Sequence, residues 1–290
     1  MLKKAFVAVL FAVVGSAGHA ADVSFESAHA LVVDESSGEV LFEKDAATAA
    51  PIASMTKLMT AMVVLDAKLP DEAVRIERDD LDMLKHTTRG VPVGARIDRS
   101  DLLQLALMSS DNHAAHALAR TYPGGEAAFM AAVRQKIDAL QLENTGIDEP
   151  TGLSPNNHAT AHDMVKILKA ASEYPEIAQA TSQASQAIKV NGRPRVFRNT
   201  NRLVGQPGWD ILLSKTGFTN EAGRCVTMRL QSSGRNILVV LMGAMASSER
   251  TVDASNIQRW LGVTLPTPIV LAQTVHVHKV HKVSARRRHR

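Results

Sequence analysis

The chain has little cysteine and little continuous apolar sequence. Cys225 is the one thiol among 290 residues, so no intramolecular disulfide can form and packing must stabilise the fold. Because Cys225 lies in an apolar stretch, we interpret it as a small core residue. Residues 5–14 form an unbroken apolar run, but this is about half of the roughly 20 residues that span a bilayer, and no later segment is a second candidate. The sequence therefore excludes a disulfide-rich fold and predicts no membrane-spanning helix.

The first 20 residues have the order of a secretory signal peptide. Lys3 and Lys4 precede the apolar run, and Gly18 and Ala20 supply the small residues that cleavage needs. We expect cleavage near Ala20, a soluble mature protein and a periplasmic location. A short membrane anchor that stays in place is the alternative.

Excess positive charge is missing from the body of the chain, although the formal net charge is +4. Of the 33 basic residues, two lie in the signal segment and six in residues 276–290, which leaves 25 against 29 acidic residues. Nucleic-acid binding is therefore not expected of the body. We assign residues 21–264 to one domain and residues 265–290 to a basic tail. The tail is either a solvated end or a segment with loose contact to an anionic polymer or membrane.

Apolar periodicity predicts an α+β fold. Two strands around a turn at residues 34–38 open the domain, and a buried helix begins at Ser54 and continues to residue 67. Further helices are predicted at residues 102–107, 112–119, 127–140, 162–171 and 249–260, and strands at residues 210–214, 224–230 and 236–242. Because the strands come from both ends of the sequence, we expect an antiparallel sheet flanked by helices, with a helical lobe.

Three short strings carry the candidate chemistry. They are Ser54-Met55-Thr56-Lys57 and Ser110-Asp111-Asn112, each at a helix start, and Lys215-Thr216-Gly217 at the end of an apolar strand. Ser54 and Lys57 share one helical face, so a neutral lysine amine can take the hydroxyl proton and activate the serine. The first string alone is expected by chance in a chain of this length. All three in this order are a known signature of penicillin-binding proteins and class A β-lactamases.

From about residue 29 to residue 260, the sequence resembles the low-molecular-weight penicillin-binding proteins that act as D-alanyl-D-alanine peptidases, and within them the type 7 endopeptidases. Segments 51–61, 108–112 and 213–218 carry the three strings, and segments 91–94, 122–125, 150–154 and 198–201 are similar as well. The resemblance implies a β-lactamase/transpeptidase-like fold. It also implies peptidoglycan stem peptides as substrates, β-lactam antibiotics as covalent inhibitors, and no cofactor.

The resemblance implies an acyl-enzyme mechanism with three catalytic side chains. Ser54 would attack the carbonyl of a D-Ala residue, Lys57 would accept its proton, and Ser110 would relay a proton to the departing amine. The backbone amides of Ser54 and Phe218 would form the oxyanion hole. Water would then release the acyl group.

Substrate binding is assigned by the same resemblance to residues of the second and third strings. Asn112 would hold the substrate amide, while Lys215 and Thr216 would bind the carboxylate side of the peptide. Gly217 and Phe218 complete this substrate-binding set. The bond expected to be cut is the cross-link between D-Ala and diaminopimelate.

Three other functions have to be weighed against an endopeptidase. A class A β-lactamase needs a glutamate with an asparagine four residues later; Glu149 is followed by leucine at position 153, so we expect slow deacylation of penicillin. Carboxypeptidases commonly carry an arginine after the strand before the last helix, and residues 243–246 contain none, which favours an endopeptidase. A catalytically silent wall-binding module is disfavoured because the serines and lysines of all three strings are intact.

Histidine spacing raises the question of a metal site. His113 with His116, His158 with His162, and the tail group His276, His278 and His281 have spacings that suit a metal ion. No acidic or cysteine partner completes a recognisable site, so we expect no metal and interpret both pairs as helix-surface residues.

Overall fold

The computed structural model describes residues 25–81 and 90–264, so the predicted signal peptide and basic tail lie outside the described residues. Its strands are β1 (His29–Asp34), β2 (Val40–Lys44), β3 (Ala50–Pro51), β4 (Ala73–Arg75), β5 (Arg96–Asp98), β6 (His158–Ala159), β7 (Ser185–Val190), β8 (Arg193–Arg198), β9 (Asp210–Thr219), β10 (Gly223–Ser232) and β11 (Arg235–Ala244). The central sheet is antiparallel with the order β2-β1-β11-β10-β9. Because β1 pairs with β11, the two ends of the domain meet in the sheet, which confirms the predicted α+β class.

Most helices lie in the middle of the chain, and one follows the last strand. They are α1 (Lys57–Asp66), α2 (Arg99–Gln104), α3 (Asn112–Arg120), α4 (Gly125–Ala139), α5 (Ala161–Ser172), α6 (Pro175–Ser182) and α7 (Ser247–Thr264). Helix α6 and the β7–β8 hairpin were not predicted. Strand β8 is almost wholly exposed and lacks the apolar alternation that marks a strand, β7 shows that alternation only at Ile188 and Val190, and α6 is only eight residues long. Within residues 25–81 and 90–264, none of the helices has the length and apolarity to cross a membrane.

The sheet separates two hydrophobic cores. Side chains alternate along β11, so Ile237, Val239 and Leu241 face the core covered by α7, and their neighbours face the helical lobe. Cys225 lies in the core on the lobe side, which confirms its predicted role as a packing residue. Burial raises the pKa of its thiol to about 11.

Helix α1 lies in the middle of the helical lobe, where it packs against α3, α4 and α5. Its residues 57–64 are all buried, as expected for a helix with apolar side chains around most of its circumference. The predicted start at Ser54 is only partly right. Residues Ala53–Thr56 form a 3-10 turn, and the α-helix begins at Lys57. Ser54 is therefore presented by a tight turn at the end of a buried helix.

Candidate active site

Two glycines fix the turn that presents Ser54. Gly152 has a φ of +86°, and a Cβ atom at this position would overlap the carbonyl group of Ala53. On the other side, a Cβ built on Gly217 would lie 2.8 Å from the carbonyl oxygen of Ile52. Ala53 has a φ of +46°, a left-handed conformation that is uncommon for a residue with a side chain. The backbone before Ser54 is therefore strained and held from both sides.

The Lys57 amine lies against the candidate nucleophile. Its Nζ atom is 2.9 Å from Ser54 Oγ, 2.7 Å from Asn112 Oδ1 and 2.6 Å from the carbonyl oxygen of Thr151. The side chain is 1% exposed. Three oxygen atoms from different parts of the chain thus orient a buried amine towards the serine hydroxyl.

Glu149 organises the loop that supplies the Thr151 carbonyl. Its Oε1 atom accepts hydrogen bonds from the amides of Gly152 (2.6 Å) and Leu153 (2.8 Å), and its Oε2 atom accepts from the amide of Thr151 (2.7 Å). Asn157 Nδ2 donates to Oε1 as well, at 3.0 Å. Because both carboxylate oxygens are engaged by donors of their own loop, Glu149 is arranged as a structural acceptor.

A second serine and a second buried lysine meet opposite the first pair. Ser110, with a φ of +60°, follows a π-helical turn at Leu105–Ser109, and its Oγ atom is 2.8 Å from Lys215 Nζ. Lys215 is 1% exposed, and its Nζ atom also donates to the carbonyl oxygen of Thr216 at 3.0 Å. Burial, followed by the charges of Lys57 and Arg250, holds the pKa of Lys215 well below its usual range.

Asp111 positions the residues on either side of it, Ser110 and Asn112. Its carboxylate caps α3 by accepting from the amide of Ala114 at 3.0 Å, and it accepts from the amide of Val91 at 2.9 Å. Burial raises the pKa of Asp111. A single buried side chain therefore anchors the start of α3.

Strand β9 forms the opposite wall of the site. It is the last strand of the central sheet, so one of its edges has no neighbouring strand among residues 25–81 and 90–264. Thr216 Oγ1 is 2.6 Å from Thr200 Oγ1. Phe218 is 49% exposed, and the guanidinium of Arg224 lies 4.2 Å from the centre of its ring. An extended peptide can pair with such an edge through main-chain hydrogen bonds.

The structure brings the predicted site residues to one place, between the helical lobe and the sheet. Lys57 connects Ser54 with Asn112, and Gly217 packs against the turn before Ser54. The remaining members adjoin these contacts along β9 and at the start of α3: Ser110, Lys215, Thr216 and Phe218.

Several contributors were missed by sequence reasoning. Thr151 acts through a backbone carbonyl, which leaves no mark in residue type, and Glu149 was considered only as a water-activating base. Thr200 lies within a segment, residues 198–201, that carries the family resemblance, but nothing in the sequence indicates its contact with Thr216.

Helix α7 contributes an arginine near Lys215 that was not predicted. Residues 243–246 contain none, but α7 turns back towards the sheet and carries Arg250, whose Nη1 atom donates to the carbonyl oxygen of Cys225 at 3.3 Å. Its charge contributes to the lowered pKa of Lys215. The absence of arginine from residues 243–246 therefore does not by itself separate an endopeptidase from a carboxypeptidase.

The interpretation of both histidine pairs as helix-surface residues was wrong for His158, which lies on strand β6, and for His113. This side chain is buried, and its Nδ1 atom is 2.9 Å from the carbonyl oxygen of Val91. His116 is more exposed, and its hydrogen bond to Asp80 raises its pKa. Among the described residues, no group of three or more His, Cys, Asp or Glu side chains is arranged to hold a metal ion.

Comparisons with known proteins agree with this arrangement. Residues 16–246 match the model of the D-alanyl-D-alanine carboxypeptidase family. The chain is 43% identical over 249 residues to a D-alanyl-D-alanine endopeptidase of Pseudomonas aeruginosa, covering 85% of this chain and 80% of that relative. It is 40% identical over 273 residues to a D-alanyl-D-alanine endopeptidase of Escherichia coli, covering 92% and 88%. The crystal structure of Streptomyces K15 DD-transpeptidase is similar, with a TM-score of 0.75 and 25% identity, covering 82% and 97%.

Proposed function

Because this chain belongs to the D-alanyl-D-alanine carboxypeptidase family of serine peptidases, we propose that it hydrolyses peptidoglycan peptides through an acyl-enzyme on Ser54. The main support is the buried Lys57 amine, 2.9 Å from Ser54 Oγ. A serine hydroxyl is a weak nucleophile until an adjacent base accepts its proton, and this contact supplies the base.

In the proposed acylation step, Ser54 Oγ attacks the carbonyl carbon of D-Ala while the neutral amine of Lys57 takes the hydroxyl proton. The tetrahedral oxyanion is bound by the backbone amides of Ser54 and Phe218, each worth about 3 to 4 kcal/mol in comparable oxyanion holes. Asn112 binds the substrate amide. The strained turn before Ser54 holds the nucleophile in a fixed direction.

The proposed leaving-group step uses the second serine–lysine pair. Ser110 relays to the departing amine the proton that Lys57 took from Ser54, so both side chains return to their starting protonation states, and Lys215, 2.8 Å from the Ser110 hydroxyl, supports that transfer electrostatically. Lys215 and Thr216 bind the carboxylate side of the peptide, with Gly217 and Phe218 beside them. Water then attacks the ester carbonyl, which returns Ser54 to its free form.

Within this family we assign the chain to the endopeptidases, which cut the D-Ala–diaminopimelate cross-link. The assignment is supported by the two relatives at 43% and 40% identity, both named D-alanyl-D-alanine endopeptidase. A carboxypeptidase is the second candidate. It is favoured by Arg250 near Lys215, since a free terminal carboxylate can pair with a guanidinium.

Digestion of purified muropeptides separates these two activities. We expect cross-linked dimers to become monomers with the wild-type protein and to stay intact with Ser54→Ala. Loss of terminal D-Ala alone, with dimers unchanged, would identify a carboxypeptidase. Intact dimers and intact termini with a protein that still binds penicillin would contradict both.

Labelling by a fluorescent penicillin tests the nucleophile itself. A stable adduct is expected on the wild-type protein, because Glu149 is engaged by its own loop and position 153 is leucine. Ser54→Ala should carry no covalent label. A label that persists in this variant would exclude Ser54, and rapid turnover of a chromogenic cephalosporin would indicate a β-lactamase.

Export to the periplasm is also part of the proposal. Residues 1–20 are assigned to a cleaved signal peptide, residues 21–264 to the peptidase domain and residues 265–290 to a basic tail with at most loose membrane contact. The support is the order of lysines, apolar run and small residues before Ala21. N-terminal sequencing of protein from the periplasmic fraction should begin near residue 21. A retained N-terminus would favour a membrane anchor.

A further inference from the structure

The β7–β8 hairpin and the residues after it form a strongly basic surface. Residues 177–209 contain no acidic residue, and their five basic side chains are all exposed: Lys189, Arg193, Arg195, Arg198 and Arg202. The body of the chain carries more acidic than basic residues. We call these five residues the basic hairpin surface. Its positive charge is opposite in sign to the net charge of the body of the chain.

Little of this charge is neutralised within the part of the chain that the structure describes, where Lys189 lies near enough to Asp101 to act on its carboxylate without forming an ion pair. None of the five side chains forms an ion pair with a residue of segments 25–81 or 90–264, and Arg195 instead lies over the ring of Phe197 at 5.6 Å. Arginines elsewhere do have carboxylate partners. Arg120 lies 2.8 Å from Asp80, and Arg229 is 2.8 Å from Glu35. The hairpin arginines are therefore available for an anionic partner.

The basic hairpin surface begins at the rim of the site. Thr200, two residues after Arg198, donates its amide to the carbonyl of Met108 at 3.1 Å and contacts Thr216 on β9. At the far end, Asn191 accepts from the amide of Arg96 at 3.2 Å, which holds the tip against β5. Six residues of β8 extend about 20 Å. The cations thus lead away from the groove over a distance longer than a single bound dipeptide.

We propose that the basic hairpin surface binds carboxylates of stem peptides next to the one being cleaved, and so holds the polymer rather than the isolated peptide. This proposal rests on the proposed function, since it takes peptidoglycan as the substrate. Stem peptides carry free carboxylates, and guanidinium groups bind carboxylates in a bidentate manner. A membrane surface fits less well. Val196, 66% exposed, is the large apolar side chain exposed on this hairpin, whereas a membrane-bound segment needs a continuous apolar face.

The test compares binding to insoluble peptidoglycan by three full-length proteins that carry Ser54→Ala, so that no cleavage occurs. One has no further change, and one combines Arg193→Gln, Arg195→Gln and Arg198→Gln. The matched control combines Arg78→Gln, Arg134→Gln and Lys169→Gln, which remove the same charge from exposed positions elsewhere. Because all three proteins have the same basic tail, any contribution of residues 265–290 is common to them.

We expect the hairpin variant to bind at least tenfold more weakly than the control, and the difference to shrink in high salt. Peptidoglycan whose carboxylates are capped as amides should bind all three proteins equally weakly. Equal binding by hairpin and control variants, or undiminished binding to the capped polymer, would overturn the proposal. So would a larger loss of binding to phosphatidylglycerol vesicles than to peptidoglycan when the hairpin variant is compared with the control.

A separate measurement keeps this result distinct from the proposed function. In proteins that retain Ser54, penicillin acylation reports the catalytic site without any wall polymer. If the protein without substitutions is not acylated by penicillin, the proposed acyl-enzyme mechanism is wrong. If the hairpin variant is acylated normally and binds the polymer as well as the control does, only the proposed role of the hairpin is wrong.

Discussion

The site contains two buried lysine–serine pairs with similar Nζ–Oγ contacts, but the two pairs are brought together by different parts of the fold. Lys57 Nζ lies 2.9 Å from Ser54 Oγ, and Lys215 Nζ lies 2.8 Å from Ser110 Oγ. The first pair is three residues apart on one helical turn, while the second is separated by 105 residues and joins the sheet to the helical lobe. Local geometry thus builds the pair that contains the proposed nucleophile, and docking of two layers builds the pair that contains the proposed proton relay.

The largest expected effect comes from removing each of the two lysine amines in turn. Lys57→Met should lower the rate of penicillin acylation by about 10³-fold, because a general base typically contributes 10²- to 10⁴-fold. Lys215→Met should have a smaller effect, about 10²-fold, because its amine contacts Ser110 and not the nucleophile. Stopped-flow acylation measures both, with thermal unfolding as the check on folding. A larger loss in Lys215→Met would reverse the proposed roles.

The second test concerns the turn that presents Ser54. Gly152→Ala should lower the free energy of unfolding by about 3 kcal/mol and reduce acylation strongly, since the new Cβ would overlap the Ala53 carbonyl. Gly94→Ala is the matched control. Gly94 has the same φ of +86°, but a Cβ atom there would meet nothing within 4 Å, so we expect a loss of only about 1 to 2 kcal/mol.

Equal destabilisation by these two alanine substitutions, measured by urea unfolding, would mean that backbone strain alone accounts for the loss. The close approach of Gly152 to Ala53 would then have no role in holding the nucleophile.

The third test concerns the loop that completes the environment of Lys57. Glu149→Gln should slow acylation about tenfold and lower the free energy of unfolding by about 2 kcal/mol, because one amide oxygen replaces an acceptor shared by several donors. The noncovalent dissociation constant for penicillin should stay unchanged, since Glu149 acts through the Thr151 carbonyl on Lys57. If Glu149 only stabilised the fold, Glu149→Gln would lower the free energy of unfolding without slowing acylation.

Asp148→Asn is the control for Glu149→Gln. It makes the same chemical change in the same loop, at a carboxylate that accepts from Asn156 Nδ2 on the surface. Comparable slowing of acylation in both variants would remove Glu149 from the positioning of Lys57.

The comparison of the two pairs also explains how far the sequence predicts the site. Ser54 and Lys57 are recognisable as a pair because helical spacing brings them together. The contact between Ser110 and Lys215 was not predicted, since no local rule joins residues so far apart, and the family resemblance implied only that both belong to the site. Arg250 was missed because the path of α7 cannot be read from residues 243–246, and the hairpin was missed because β8 is exposed and β7 has only two buried apolar residues.

The smallest expected effect concerns how the titration of Lys215 changes the stability of the fold with pH. An unfolded lysine has a pKa near 10.4, and burial holds the pKa of folded Lys215 well below this value. Between the two pKa values the unfolded chain binds more protons, so stability rises with pH in that window. Lys215→Met removes this titration, and its free energy of unfolding should therefore rise less steeply between about pH 7 and pH 10 than that of the wild type.

Lys136→Met is the opposite control for this titration. Burial acts to lower the pKa of Lys136, but hydrogen bonds to Asp66 and Tyr174 raise it above its ordinary value. Its stabilising contribution is therefore present below pH 10.4 and lost only at higher pH, so its removal leaves the slope between pH 7 and pH 10 unchanged. Urea unfolding across this range measures all three proteins. If the free energy of unfolding of Lys215→Met and of the wild type changes equally with pH, Lys215 has its ordinary pKa in the folded protein, and burial does not lower that pKa as proposed.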